Sequence, residues 1–115
     1  MRRGKHRKFG RETKQRRALY KSLATALIEH GRIKTTVAKS KALSSYMDKL
    51  ISTARKGDLA SRKSLGTNLG PKAASKLAGE ISPKFKERSG GFTRVVRLGQ
   101  RKSDGAPMAL IEFTQ

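Results

Sequence analysis

The stretch Gly31-Arg32-Ile33-Lys34-Thr35-Thr36-Val37-Ala38-Lys39-Ser40-Lys41-Ala42-Leu43, continuing to Gly57, carries two apolar periods in succession. Ile33 to Thr36 is β-branched but for one lysine, which predicts a short strand. From Ala42 the period changes. Ala42, Leu43, Tyr46, Met47, Leu50, Ile51 and Ala54 recur at steps of three and four, which is helical. At about 100° per residue these side chains share one side of the cylinder, and Lys41, Asp48 and Arg55 line the other. Thr36 is placed to cap the first turn with its hydroxyl. Gly57 suits a left-handed stop, and Arg55 and Lys56 suit the negative end of the helix dipole. The spacing therefore predicts a helix over 37–56 that needs a second apolar surface.

That surface lies upstream. Leu19, Tyr20, Leu23, Leu27 and Ile28, with Ala24 between them, predict a helix over 13–30. Thr13 is its candidate cap and Gly31 its stop. The short linker from Gly31 to Thr36 makes the two helices neighbours. Downstream, Asp58 opens a short helix through Leu59, Arg62 and Leu65, and Gly66 to Gly70 reads as a loop. Pro71 opens a fourth helix, with Ala74, Leu77, Ala78 and Ile81 inward. Ser82-Pro83 starts a further turn toward Glu87.

Ser89-Gly90-Gly91 breaks the helical pattern and the period drops to two. Phe92 to Leu98 reads as a strand, with Phe92, Val96 and Leu98 on one face and Thr93, Val95 and Arg97 on the other. Met108 to Phe113 is the last strand; Ala109, Ile111 and Phe113 share a face and Glu112 points away. Between them Arg101-Lys102 and an Asp104-Gly105 turn form a basic tip, so the two strands make an antiparallel hairpin. The expected fold is a two-layer α/β domain over 13–115, with about four helices on a small three-stranded sheet.

Charge decides the class of partner. The 115 residues hold 28 Lys and Arg against 8 Asp and Glu, net +20. A chain so charged repels itself, and a polyanion is its simplest counterweight. Residues 1–17 contain nine of the basic side chains and one acid, Glu12. With Phe9 as its one large apolar residue after Met1, the 1–12 segment cannot bury enough surface to order itself; it reads as a basic arm that settles on phosphates. Cysteine is absent, which excludes disulfides and cysteine-based zinc sites. No apolar run reaches membrane-span length, and the basic N-terminus is followed by no apolar signal region.

The chemistry of an enzyme is missing from the pattern. His6 and His30 are the only histidines and lie far apart. They assemble no metal site, and His30 reads as a helix-end residue. Asp48 and Glu112 read as ion-paired acids. Gly66 to Lys72 lacks the Gly-Lys-Ser/Thr ending of a phosphate-binding loop. No nucleophile–base set appears, so neither catalysis, cofactor, metal nor small-molecule substrate is expected. An architectural DNA-binding protein is the alternative, since both nucleic acids offer phosphates, although no helix-turn-helix, zinc-finger or zipper spacing is present.

The candidate RNA contacts are Arg2, Arg3, Lys5, His6, Arg7, Lys8, Phe9 and Arg11 in the arm, and Lys14, Arg16 and Arg17 just after it. Arg94, Arg97, Arg101 and Lys102 on the hairpin form a second patch. Arg suits bidentate phosphate contacts where Lys offers a point charge. Lys34 and Lys39 flank the start of the second helix, either as a phosphate site or as solvated lysines beside a cap. Phe9 is placed to stack on a base or to pack locally. With so few free aromatics, recognition is expected to be of phosphates and folded RNA shape.

Several runs resemble the bacterial large-subunit ribosomal protein L17 family: Met1-Arg2-Arg3-Gly4-Lys5, Arg17-Ala18 entering a helix, His30 with Ile33-Lys34-Thr35-Thr36, Lys39-Ser40-Lys41-Ala42-Leu43, Arg88 to Arg94 and Ala106 to Glu112. The likeness runs nearly end to end and in order. Arg3 stands where the family usually has His, and Lys21-Ser22 where it usually has Arg-Asn. The resemblance implies a non-catalytic component of the large subunit, in the cytoplasm as part of the ribosome. It implies binding to large-subunit ribosomal RNA near the rim of the exit tunnel, beside neighbouring ribosomal proteins and away from any membrane.

Overall fold

The structure is a computed structural model that describes residues 2–88 and 90–114, with only the backbone described over 2–12. Helix α1 spans Arg2–His30, strand β1 Arg32–Thr36, helix α2 Val37–Lys56, helix α3 Leu59–Leu69 and helix α4 Pro71–Lys76. A π-helical turn, Leu77–Ile81, and a 3-10 turn, Ser82–Phe85, prolong α4; strands β2, Thr93–Gln100, and β3, Pro107–Phe113, close the chain. The strands form one antiparallel sheet in the order β1-β3-β2, with Ile33 opposite Ile111 and Ile111 opposite Val95. The expected mixed fold of four helices on a three-stranded sheet is the one observed.

Helix α2 has the predicted bounds. Thr36 accepts from the Lys39 N–H at 3.3 Å, and Gly57 takes φ 68°. Its stripe, Leu43, Met47, Leu50, Ile51 and Ala54, packs with Leu27 and Ile28 of α1 and with Leu77, Phe85, Phe92 and Ile111 in one core. Tyr20 meets Tyr46 at 5.9 Å between ring centroids across the α1–α2 contact.

Four expectations change. Helix α1 starts at Arg2, so Thr13 lies inside it and does not cap it. Lys, Arg, Gln and Glu are good helix formers, and they carry the helix past its apolar stripe. Leu19 on that stripe is exposed at 37%. Second, 66–69 is helix rather than loop, and α3 ends only at Gly70, φ 84°. The Thr67 hydroxyl and the Asn68 amide donate to the carbonyls of Lys63 and Ser64 at 3.0 and 2.9 Å, and Leu69 joins Leu65 in the core. Leu59, in the first turn of α3, is exposed. Third, the outward face proposed for α2 is partly covered. The Arg55 guanidinium donates to the carbonyls of Arg88 and Lys86 and lies 5.6 Å from the Phe92 ring. Asp48 makes no ion pair among the described residues, and its Oδ1 is buried without a partner among them. Fourth, Phe92 does not share the face of Val96 and Leu98. Gly91 at φ 65° turns the chain so that Phe92 is buried in the core. Val96 and Leu98 are left 41% and 48% exposed.

Candidate nucleic-acid interface

Two basic regions emerge from this fold. The first is the N-terminal half of α1. A 29-residue helix is about 43 Å long, and the whole molecule measures 43 Å along its longest axis. The core takes hold of α1 only from Tyr20 and Leu23 onward, with Ala24, Leu27 and Ile28 fully buried. Residues 14 to 19 are all exposed, among them Lys14, Arg16 and Arg17. The side chains of Arg2, Arg3, Lys5, His6, Arg7, Lys8, Phe9 and Arg11 lie outside the described residues, on the helical backbone that continues this one.

The second region is the face of the sheet turned away from the helices. Strand register fixes its membership, because directly paired residues share a face. Arg32, Glu112 and Arg94 form one row, Lys34, Leu110 and Val96 the next, and Thr36, Met108 and Gly99 the third. A bulge between Arg97 and Gly99 inserts Leu98 beside the last row. Arg97 pairs with Ala109 and so belongs to the opposite face, although it is exposed at the end of the sheet. The hairpin cations predicted as one patch are therefore divided between two faces.

Their charges are also unequal in availability. Arg94 Nη2 stands 3.4 Å from Glu112, whose side chain is 19% exposed between its two arginine neighbours. Arg101 donates twice to Asp104, at 2.9 and 2.8 Å, and Asp104 also accepts the Ala106 N–H at 3.1 Å. These donors, Arg101 first, hold the Asp104 carboxyl down at about 2. Arg97, Lys34, Lys39 and Lys102 are exposed and form no ion pair among the described residues. The Lys39 N–H is already taken by Thr36, which favours the cap over the phosphate site. His30 lies 4.0 Å from the neighbouring Glu29 carboxylate, and it is Lys76 that reaches a terminal carbonyl of α1, that of Glu29, at 3.2 Å.

The structure brings Lys34, Arg101 and Lys102 together. They rim a cavity of about 240 Å³ whose apolar wall is Leu98 and Met108. Sequence reading named the three cations but missed the aliphatic wall. The signal was present in two consecutive valines at 95 and 96, of which a half-buried strand can bury only one. No group of three His, Asp or Glu side chains comes together among the described residues, and no described helix is long and apolar enough to cross a membrane.

A small mixed fold thus carries a basic first helix and a cation-rimmed sheet face. Comparison with known proteins makes this specific. Residues 19–114 match the family described as ribosomal protein L17. The chain is 48% identical over 114 residues to the large ribosomal subunit protein bL17 of Persephonella marina, covering 96% of this chain and 92% of that one. It is 44% identical to bL17 of a Thermoanaerobacter species and 47% to bL17 of Wolinella succinogenes, each over 109 residues and 94% of this chain, covering 97% and 94% of those proteins. The chain belongs to the ribosomal protein L17 family, a family of structural proteins and not of enzymes.

Proposed function

We propose that this protein is built into the large ribosomal subunit in the cytoplasm and acts there by neutralising and bracing ribosomal RNA. The observation that carries the reading is the distribution of its +20 charge. The cations gather on the part of α1 that the core does not use and on the hairpin end of the sheet, while the acids near the hairpin are already paired. In this reading residues 1–12 are the RNA-binding arm of a 13–115 body. Arg2, Arg3, Lys5, Arg7, Lys8 and Arg11 contact phosphates, His6 and Phe9 approach sugar or base, and Lys14, Arg16 and Arg17 continue the track. Arg94, Arg97, Arg101, Lys102, Lys34 and Lys39 supply the contacts of the body. Family membership supports a place near the exit-tunnel rim, next to other large-subunit proteins.

Deletion of residues 2–11 tests the division of labour. Binding to protein-free large-subunit RNA should fall at least tenfold at ~150 mM salt. The unfolding transition of the body should stay in place, because the described core contacts of α1 begin only at Tyr20 and Leu23. Unchanged affinity, or a body that no longer unfolds cooperatively, contradicts the assignment.

A further inference from the structure

We infer that the open face of the sheet seats one unpaired nucleotide of RNA at its hairpin end, an inference that rests on the ribosomal RNA reading above. The face has two properties that must be satisfied together. Val96, paired with Leu110, and Leu98, in the bulge beside the Gly99–Met108 pair, are half-exposed aliphatic side chains. Lys34 and Lys102 are free of ion pairs among the described residues, and Arg101 is bonded twice to Asp104 beside them. The cavity they enclose is about 240 Å³, room for a single planar group and far too small for a duplex.

A ligand for this site needs a flat apolar surface joined to negative charge. A nucleotide has both. Within a duplex the faces of a base are stacked and unavailable, so the base that meets Leu98 and Met108 must be unstacked, in a loop, bulge or strand end. Its phosphates then fall toward Lys34 and Lys102. The contact is made on aliphatic carbon and carries no base-edge hydrogen bonding, so it selects an exposed base by shape and is tolerant of which base it is. A peptide segment with acidic and apolar side chains is the competing occupant. The site favours RNA because the open face presents Arg32, Lys34, Arg94, Arg101 and Lys102 against two acids, both already paired.

Leu98→Ala and Lys34→Gln in the full chain separate the possibilities, with protein-free large-subunit RNA as the probe. Leu98 is on the surface, so neither variant should lower the unfolding midpoint. Leu98→Ala should weaken binding about fivefold with the salt dependence unchanged, because an apolar contact releases no counterion. Lys34→Gln should weaken binding and lower the log–log salt slope by about 0.7 to 0.9. Ultraviolet cross-linking should give a nucleotide adduct on the peptide holding Leu98 to Lys102. Wild-type affinity in Leu98→Ala with no adduct there overturns the nucleotide site while leaving RNA binding through the arm intact. In assembled subunits, lysine-directed cross-links from Lys34 and Lys102 to another protein, without an RNA adduct, overturn it in favour of a protein occupant. If the wild-type chain fails to bind the RNA at all, both this site and the ribosomal RNA reading fall.

Discussion

Asp104 shows how one acid organises a basic loop. It sits at the hairpin turn with two bonds from Arg101 and one from the Ala106 N–H. The charged carboxylate is the form that accepts all three, so its pKa is lowered to about 2 from an ordinary 3.8. The sign follows: a depressed folded pKa means the stabilisation is complete above about pH 4 and is lost as pH falls toward 2. Carboxyl-carbon NMR of the folded protein should give a midpoint for Asp104 near 2, and Arg101→Gln should return it toward the ordinary range. A wild-type midpoint near 4 would show that the clamp does not form. Asp104-Gly105 was legible in the sequence as a turn; the clamp was not, since it depends on how a three-residue spacing folds within a loop. Arg55 is a parallel case. Its place on the helical wheel argued for solvent, whereas it ties α2 to the carbonyls of Lys86 and Arg88. Long side chains reach across elements, and periodicity within one element cannot report that.

Among the elements, α2 was readable to the residue because all its signals agree: a capping threonine, a stripe at steps of three and four, and a left-handed glycine. The α4 region was readable only in part. Ala73, Leu77, Ile81 and Phe85 are all buried at a strict spacing of four. An α-helix would rotate such a set gradually off one face, and the π-helical turn at Leu77–Ile81 unwinds the chain and keeps them together. That adjustment is imposed by the core and not by local propensity. Phe85 is the last residue of the set, with Phe92 edge-on at 5.2 Å and Phe113 at 6.2 Å. Phe85→Ala should cost about 3–5 kcal/mol in urea unfolding, because it opens a cavity beneath the sheet. Leu59→Ala, on a residue 66% exposed, should change stability by less than about 0.5 kcal/mol. Equal effects from the two would mean that the aromatic cluster is not the centre of the core. The strand pattern at 92–98 misled for a related reason. Phe92 and Val96 obey period two, but the turn at Gly91 places Phe92 before the pleat begins.

Taken whole, the molecule is a core of ordinary size carrying charge that the core does not need. Buried apolar residues run from Ala24 to Ile111, and the N-terminal half of α1 contributes none of those described. The gathering of charge at one end was visible in composition alone, since nine of the 28 basic residues lie in the first 17. What composition could not give was the open sheet face, which exists only once three distant segments are paired in register. The central claim is that this excess charge is matched to the phosphates of ribosomal RNA, and the salt dependence of binding tests it most directly. Titrating the full chain onto protein-free large-subunit RNA between ~50 and ~300 mM salt, with duplex DNA as competitor, should give a linear log–log plot with a slope of about −4 or steeper, as five or more phosphate contacts require. DNA should compete poorly at ~150 mM. A slope near −1, or DNA competing on equal terms with the RNA, would contradict the account.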